Sequence, residues 1–257
     1  MTEKRIDLNC DMGESYGVYT FGGDQELMNH ITSANIACGA HAGDPNVMHQ
    51  TVALAKKNGV SIGAHPGFPD IVGFGRRKIE MSPEEIYRWT IFQIGSLQAF
   101  CKAHHVALHH VKPHGALYHV AARNKEAAKA IAQAVYDVDN SLILYGLAGS
   151  ELLTEGRKHG LTVASEVFAD RTYQKDGTLT PRTEQNALIH DPHKAIEQVK
   201  RMIVHGKVEA VDGSQLTIEA DTICIHGDNP QAISFAERLQ KELIKLGIDV
   251  MAIGERC

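Results

Sequence analysis

NIACGAHAGDP, residues 35–45, joins a short apolar run to a glycine-rich turn and then to the signature of a helix start. His41 lies among glycines, and Asp44 directly precedes Pro45, a pair typical of the first turn of a helix. Because glycine allows tight backbone paths and close approach of a ligand, the stretch predicts a strand end that presents a polar side chain. A plain turn would have the same composition, so the rest of the chain has to decide.

The same succession of strand, turn and helix recurs along the whole chain. Strand-like runs cover residues 5–10, 33–38, 60–65, 108–113, 142–146, 161–168, 222–227 and 248–253. Helix-start signals lie between them, such as the capping box Ser82-Pro83-Glu84-Glu85 and the pair Asp191-Pro192. Strands that alternate with helices predict parallel βαβ units, and their number predicts an irregular (β/α) barrel of about seven parallel strands.

The segment KVEAVDGSQLTIEA, residues 207–220, interrupts this succession. Its β-forming residues flank Asp212-Gly213, so the segment predicts an inserted β-hairpin. No break in composition and no Gly/Ser/Pro-rich linker divides the sequence. We therefore expect a single β/α-barrel domain over residues 1–257.

The composition of the chain is typical of a globular protein and argues against several other classes. The chain has 257 residues, of which 43% are hydrophobic and 22% charged, as in an ordinary globular domain. A net charge of −5 without a Lys/Arg stripe argues against nucleic-acid binding, and the sequence has no apolar run long enough to span a membrane. The start, MTEKRIDLNCD, lacks the apolar core of a signal peptide, and the cysteines are scattered. These features predict a cytoplasmic protein with reduced thiols.

Most of the predicted strands end in ionisable or amide side chains beside glycine or proline. In chain order these residues are Asp7, Asn9 and Asp11; His41; His65; Lys112 and His114; Glu166, Asp170 and Arg171; His226 and Asp228. The carboxyl ends of barrel strands converge on one face, where such enzymes place their active sites. Many charges in one cavity are costly unless they pair or bind a ligand. The pattern therefore predicts an active site on this face.

Simpler structural roles compete for several of these residues. For Asp44 we favour the role of a helix N-cap. For Asp228 both roles stay open, that of a helix N-cap and that of a residue in the site. Asp7 could be a buried partner of Lys112 rather than a residue that acts on a ligand.

The stretch GFGRR, residues 73–77, leaves two interpretations open. Arg76 and Arg77 could lie in an exposed turn, or they could form an anion clamp on a mobile loop. Among the histidines outside the strand ends, His109 and His110 are expected to be solvated.

Several chemistries lack their sequence motifs. The chain has no G-x-x-x-x-G-K-[ST] for nucleotide phosphates, no G-x-S-x-G nucleophile elbow, and neither H-E-x-x-H nor paired C-x-x-C for zinc. An aspartate and two histidines from different strand ends can still form an open metal site. Spacing alone does not decide whether they do.

Motifs spread along the chain carry a resemblance to a known family. They are DLNCDMGE (7–14), NIACGAHAGDP (35–45), GAHPGFPDIVGFGRR (63–77), VKPHGALY (111–118), EVFADRTY (166–173) and IHGDNP (225–230). In this order they closely resemble the LamB/YcsF family of ATP-dependent 5-oxoprolinase A subunits. Ala40 is a mild departure, at a position where a bulkier residue is expected.

The resemblance implies that the chain takes part in cleaving 5-oxoproline to glutamate, coupled to ATP hydrolysis, in a complex with separate B and C subunits. It implies that ATP is bound mainly by those partners, in keeping with the missing nucleotide motif. The family is also similar to carbohydrate deacetylases, irregular β/α barrels in which an aspartate and two histidines commonly hold a divalent metal. By that likeness the metal candidates are Asp11, His41 and His65.

On this basis two sets of residues are expected in the site. The catalytic set is Asp11, His41, His65, Lys112, His114, Glu166 and His226, and the substrate-binding set is Asp7, Asn9, Arg76, Arg77, Asp170, Arg171 and Asp228. Glu166 or Asp11 would position and deprotonate water. Lys112 and His114 would stabilise the developing oxyanion or the leaving phosphate. Arg171, or the pair Arg76 and Arg77, would hold the substrate carboxylate.

Two other functions stay open at this point. One is a stand-alone metal-dependent hydrolase of an N-acetyl sugar or related amide, active without ATP. The other is a non-catalytic subunit that only captures the ligand and activates its partners. The number of titratable side chains at the strand ends favours catalysis, because binding a small ligand requires fewer.

Overall fold

The computed structural model describes residues 4–225 and 232–255. The strands in these ranges are β1 (Lys4–Met12), β2 (Ser33–Ala37), β3 (Ser61–His65), β4 (Leu108–Val111), β5 (Ile143–Leu147), β6 (Val163–Phe168), β7 (Lys207–Glu209), β8 (Gln215–Thr217), β9 (Thr222–Ile225) and β10 (Ile248–Val250). The α-helices are α1 (Asp24–Leu27), α2 (Pro45–Asn58), α3 (Pro83–Ala103), α4 (Gly115–Arg123), α5 (Lys125–Val138), α6 (Glu151–Lys158), α7 (Pro192–His205) and α8 (Ala232–Lys245). A short 3-10 helix, Met28–His30, follows α1.

Most of the described strands close into a parallel barrel. Their order around the ring is β1-β2-β3-β4-β5-β6-β9, and β9 pairs with β1 to complete it. The structure thus confirms the predicted irregular β/α barrel of seven parallel strands. The last predicted strand, β10, is not part of the ring. It pairs in parallel with the start of β1, where Lys4 opposes Ile248.

The predicted insertion is also confirmed. β7 and β8 form an antiparallel pair outside the barrel. In the loop between them, the Asp212 carboxylate accepts hydrogen bonds from the backbone N–H and the hydroxyl of Ser214. Gly213 has a φ of 85°, a left-handed conformation that glycine adopts without strain.

Alternation along β1 decides which side chains enter the barrel. Leu8 and Cys10 belong to the hydrophobic core between strands and helices. Asp7, Asn9 and Asp11 share the opposite face, because side chains two apart on a strand point the same way. Inside the ring they contact polar side chains of β2 and β9 and of Lys112, the residue that follows β4. The barrel therefore has an apolar outer surface covered by helices and a polar interior.

Helices begin where the sequence predicts. The Asp44 carboxylate accepts hydrogen bonds from the backbone N–H groups of Asn46 and Val47, so Asp44 is the N-cap of α2. Ser82 and Glu85 form a reciprocal capping box at the start of α3. These caps fix the ends of the loops that follow β2 and β3. None of the helices in residues 4–225 and 232–255 is long and apolar enough to cross a membrane.

Candidate active site

A cavity of about 650 Å³ opens at the carboxyl ends of the barrel strands. Ionisable side chains from and just after the strand ends line it, namely Asp11, Glu14, His65, Lys112 and His114. Further lining residues come from the loop after β3, from α4, and from the end of β6 and the segment after it, among them Phe74, Arg76, Tyr118, Phe168 and Arg171. The volume suits a small-molecule ligand. The cavity lies on the face where the sequence predicts the site.

Lys112 lies at the centre of the charged group. Its ammonium is 3.0 Å from Asp11 Oδ1 and 2.8 Å from Glu166 Oε1, and the residue is buried. Burial alone lowers the pKa of Lys112, but Asp11, Cys224 and Glu166 outweigh it and raise the pKa well above the usual value. Lys112 therefore carries its charge, and it donates a further hydrogen bond of 3.0 Å to Asn9 Oδ1.

Asp11 connects Lys112 to the histidines. Its Oδ1 accepts a hydrogen bond from Lys112 and another, of 2.9 Å, from Asn35 Nδ2, while its Oδ2 lies 3.3 Å from His65 Nε2. Burial raises the pKa of Asp11, but His65 and Lys112 outweigh it, so that the pKa lies well below the usual range. The cavity wall thus contains an ionised carboxylate that its neighbours hold in place.

Glu166 lies behind this group, since it is fully buried and does not line the cavity. Tyr118, which does line the cavity, borders Glu166. Burial and then the Glu166 carboxylate raise the pKa of the Tyr118 hydroxyl well above its usual value. Of the two predicted bases, Glu166 and Asp11, only the latter has access to the cavity.

Three histidines and Glu14 converge beside Asp11. Ligand-type atoms of Glu14, His41, His65 and His114 all lie within 4.8 Å of one another, an arrangement that could hold a metal ion. The His41 and His114 rings stack with centroids 3.6 Å apart, and His65 meets both edge-on. Burial, followed by the neighbouring histidines, lowers the pKa of His41 well below its usual value and that of His114 to about 3. These two rings are therefore neutral near pH 7.

Backbone carbonyls orient two of these rings. His65 Nδ1 lies 2.7 Å from the carbonyl oxygen of Lys112, and His114 Nε2 lies 2.8 Å from that of Phe74. A carbonyl oxygen only accepts hydrogen bonds, so each of these nitrogens carries a hydrogen. The opposite nitrogens, His65 Nε2 and His114 Nδ1, face each other at 3.0 Å. The main chain thus determines which nitrogen of each ring faces the cluster.

The loop after β3 packs directly on the histidines. Gly75 has a φ of 62°, and a Cβ at this position would lie 2.7 Å from atoms of both His41 and His114. The Phe74 ring meets the same two histidines edge-on, with centroids 5.8 and 5.3 Å away. Glycine at position 75 therefore allows the loop to cover the cluster.

The predicted pair Arg76 and Arg77 is divided by the structure. Arg76 lines the cavity, with its guanidinium 5.1 Å from the Phe74 ring centroid. Arg77 is instead held by an ion pair with Asp70, and its hydrogen bonds lower the pKa of Asp70 to about 2. Arg76 is thus the member of the pair that borders the cavity.

Arg171 lies in the cavity wall. Its buried guanidinium donates hydrogen bonds to the backbone carbonyls of Ala187 and Thr180, at 3.3 and 2.6 Å. Burial, followed by the nearby charge of Arg182, lowers the pKa of Arg171 to about 10. The guanidinium is therefore still charged near pH 7.

Asp7 and Asn9 lie deeper in the barrel and do not line the cavity, and Asp170 does not line it either. The Asp7 carboxylate accepts hydrogen bonds from the hydroxyl groups of Thr32, Ser33, Tyr145 and Thr222. Burial raises the pKa of Asp7. The Asp7 carboxylate thus accepts its hydrogen bonds from hydroxyl groups and not from Lys112. The predicted residues His226 and Asp228 lie outside the described residues.

Glu14 and Tyr118 are among the cavity residues that are absent from the predicted sets. Each ends a motif that the sequence already offers, DLNCDMGE and VKPHGALY. Tyr118 lies in the first turn of α4, four residues after His114, which is the N-cap of that helix. Glu14 follows the end of β1, where strand alternation no longer predicts direction.

Comparison with known proteins identifies the family. The model of the LamB/YcsF family matches residues 6–256. The chain belongs to the LamB/YcsF family. This confirms the resemblance seen in its motifs.

Curated relatives match over nearly their full length. The 5-oxoprolinase A subunit of Halalkalibacterium halodurans is 58% identical over 252 residues, covering 98% of each chain. The protein of the same name from Oceanobacillus iheyensis is 59% identical over 246 residues, covering 96% of each chain. Among solved structures, the lactam utilization protein of Thermus thermophilus is 48% identical with a TM-score of 0.91, covering 97% of this chain and 100% of that one.

Proposed function

We propose that this LamB/YcsF chain is the A subunit of a 5-oxoprolinase, which opens the lactam ring of 5-oxoproline to give glutamate. The near-full-length relatives of that name support the assignment. The structural observation that carries it is the ionised Asp11 and the charged Lys112, whose side chains meet at 3.0 Å in the cavity wall. Lactam cleavage needs a base for water and a positive charge for the carbonyl oxygen, and this pair supplies both.

Coupling to ATP divides the reaction between subunits in this proposal. A five-membered lactam resists hydrolysis, and phosphorylation of its amide oxygen would activate it. Because the sequence has no nucleotide-phosphate motif, we assign ATP and the phosphorylation step to partner subunits B and C. This chain then binds the activated lactam and adds water, in a complex that we place in the cytoplasm.

Asp11 is the base in this scheme. It removes a proton from the attacking water, while Lys112 stabilises the negative charge that develops on the lactam oxygen or its phosphoryl group. The ring C–N bond then breaks, and the proton held by Asp11 passes to the ring nitrogen. A second water releases phosphate from the opened acyl phosphate, which leaves glutamate.

Arg171 binds the carboxylate of the substrate in this scheme. The guanidinium is charged, buried and part of the cavity wall, and its described hydrogen bonds go to neutral backbone carbonyls. A buried cation is stabilised by an anion that it can contact in two places. Arg76 borders the same cavity and adds positive charge.

Steady-state kinetics of the complex with its B and C subunits test these assignments. Asp11→Asn should lower kcat by about 100-fold or more, because general-base catalysis contributes on that order. Arg171→Gln should mainly raise KM for 5-oxoproline. Arg157→Gln is the matched control, since Arg157 is an exposed arginine of α6 that pairs with Glu219, and it should change neither constant. An unchanged kcat in Asp11→Asn would remove Asp11 from the mechanism and favour a subunit that only binds.

A further inference from the structure

We infer that Glu14, His41, His65 and His114 form a binding site for one divalent transition-metal ion, with Zn²⁺ as the best fit. The site lies at the cavity of the proposed function, but the inference rests on side-chain geometry and not on that function. The set differs from Asp11, His41 and His65, the metal candidates implied by the likeness to deacetylases, because it includes Glu14 and His114 and does not include Asp11.

Three distances within the cluster are close to those between ligands of a single ion, and all four donor atoms lie within 4.8 Å of one another. His41 Nε2 lies 3.4 Å from Glu14 Oε1, which lies 3.5 Å from His114 Nδ1, which in turn lies 3.0 Å from His65 Nε2. Tetrahedral ligands that are each about 2.0–2.1 Å from zinc lie about 3.3 Å from one another. The contacts to Glu14 are longer than ordinary hydrogen bonds, and they fit a shared ion better.

Two of these nitrogen atoms, His65 Nε2 and His114 Nδ1, lie next to each other in the cluster. The ring hydrogens of His65 and His114 point at the carbonyl oxygens of Lys112 and Phe74. When His65 is neutral like His114, His65 Nε2 and His114 Nδ1 face each other as acceptors across 3.0 Å. Facing lone pairs repel, and a cation that both can bind removes the repulsion. Metal-binding histidines commonly have the same carbonyl support at their other nitrogen.

His41 distinguishes a metal ion from a shared proton. A proton shared between His65 and His114 would give those two rings a hydrogen bond, but it would leave the ring nitrogens of His41 without a partner. His41 is only 1% exposed, and within the described part of the chain no hydrogen bond of good geometry reaches either of its ring nitrogens. A buried polar atom without a partner is costly, and coordination through Nε2 would remove that cost for the nitrogen nearest Glu14.

The donor atoms select the class of metal. Three imidazole nitrogens and one carboxylate oxygen suit Zn²⁺ and its first-row neighbours, whereas Mg²⁺ and Ca²⁺ prefer oxygen ligands throughout. Asp11 is not one of the four grouped residues; its Oδ1 accepts hydrogen bonds from Lys112 and Asn35, and its Oδ2 lies 3.3 Å from His65 Nε2, beside the proposed ion. A Zn²⁺ ion bound here would supply Lewis-acid polarisation of a carbonyl or phosphoryl oxygen in the cavity.

Zn²⁺ binding to the full chain tests the inference without any turnover. The chain is stripped with a chelator, its fold is checked by circular dichroism, and Zn²⁺ is titrated by calorimetry with the bound metal counted by mass spectrometry. We expect one tightly bound Zn²⁺ per chain. Co²⁺ in its place should give the visible absorption of a four-coordinate site.

Variants locate the bound ion. Glu14→Gln and His41→Gln should each weaken Zn²⁺ binding by about tenfold or more, and the former keeps the test valid if the latter does not fold. His104→Gln is the matched control, because His104 Nε2 lies 3.0 Å from His49 Nδ1 in an exposed pair that could bind Zn²⁺ weakly. This control should leave the tight site unchanged.

Two results would overturn the inference. One is a stripped wild-type chain that takes up no Zn²⁺. The other is tight binding that survives unchanged in both Glu14→Gln and His41→Gln, and its loss in His104→Gln would place the ion at the exposed histidine pair instead. Since neither result involves turnover, both would leave the proposed 5-oxoprolinase function standing, and absence of activity in a chain that binds Zn²⁺ would count against that function alone.

Discussion

Lys112 links strands that do not pair with its own. β4 pairs with β3 and β5, yet Lys112, the residue that follows β4, reaches Asp11 on β1 and Glu166 on β6. Buried ion pairs of this kind add little net stability, but loss of one partner costs about 3–5 kcal/mol because a buried charge is left alone. The network therefore fixes the position of Asp11 more than it stabilises the fold.

His110, two residues before Lys112, constrains the neighbouring strand. It is fully buried, contacts Asn35 Oδ1 at 2.7 Å and stacks on Tyr145 with centroids 4.2 Å apart. A Cβ at Gly63 would lie 2.1 Å from His110 Nε2. Gly63→Ala should therefore lower the free energy of unfolding by about 2–3 kcal/mol, as overpacking of a core does. Urea denaturation measures the loss.

Gly95→Ala is the matched control for this prediction. Gly95 lies inside α3. Apart from its chain neighbours and the nearby helix backbone, no heavy atom lies within 4 Å of a Cβ added at this position. Alanine there should raise the free energy of unfolding by about 0.5–1 kcal/mol. Equal effects of the two substitutions would contradict the role of His110 as a fixed neighbour of Gly63.

The same histidine should make stability depend on pH. Burial, and then His109, lowers the pKa of His110 well below the usual 6.5. Below about pH 6.5 the unfolded chain takes up a proton that the folded chain does not, so stability is lost as the pH falls. Each such histidine contributes about 1.4 kcal/mol per pH unit. Urea denaturation at a series of pH values from 7.5 to about 5 should show the slope.

Substitution of single histidines assigns the slope. His110→Gln should reduce the slope of the free energy of unfolding against pH by the contribution of one histidine, since glutamine takes up no proton in this range. His205→Gln, which changes an exposed histidine at the end of α7, should leave the slope as it is. The same slope in wild type and His110→Gln would contradict the prediction.

At the residue scale, the sequence predicts which side chains lie at the strand ends better than it predicts which partners those side chains contact. Asp11, His65 and His114 are predicted and do meet, because strand ends converge in a barrel. His110 is expected to be solvated, which is wrong. It alternates with Lys112 on one strand face and is buried with it. The pairing of Arg77 with Asp70 depends on a loop conformation that no sequence periodicity reveals.

At the scale of elements, the start of α2 and the turn after β1 depend on one carboxylate. Asp44 Oδ1 caps α2, and its Oδ2 accepts a hydrogen bond of 2.7 Å from the backbone N–H of Gly17, three residues after Glu14. Asp44→Ala should therefore lower the free energy of unfolding by about 1–2 kcal/mol and also weaken Zn²⁺ binding by displacing Glu14. Thermal unfolding and the Zn²⁺ titration measure the two effects.

Asp191→Ala is the control that separates the effect of losing a helix cap on stability from the effect of displacing Glu14 on Zn²⁺ binding. Asp191 caps α7, where it accepts a hydrogen bond of 2.9 Å from the backbone N–H of His193. This variant should lose about 1 kcal/mol of stability and keep its Zn²⁺ affinity. If both variants bind Zn²⁺ as the wild type does, Asp44 acts as a cap alone.

Elements follow from the sequence where a local signal exists. The caps Asp44, Ser82 and Asp191 and the hairpin at Asp212-Gly213 have side-chain chemistry that predicts them. The sequence does not predict that β10 lies outside the ring, because the sequence of β10 resembles that of the barrel strands. Its place is decided by pairing with the start of β1, a contact distant in sequence.

At the scale of the molecule, the barrel keeps its charges at one end of a polar interior. Hydroxyl groups surround Asp7 deep inside, whereas the ionised Asp11 and the charged Lys112 border the cavity. Repetition of βα units predicts this architecture and the face that carries the site. The cavity wall beyond the strands, including Arg171 and Tyr118, depends on how loops and helices pack over the ring.

Glutamate release from 5-oxoproline is the most direct test of the proposed function. The purified chain is assayed with and without ATP, and with and without its B and C subunits. Glutamate should form when all the subunits and ATP are present together, and not when any of them is left out. Release by this chain alone without ATP would contradict the proposal in favour of a stand-alone hydrolase, and no glutamate from the complete mixture would contradict it outright.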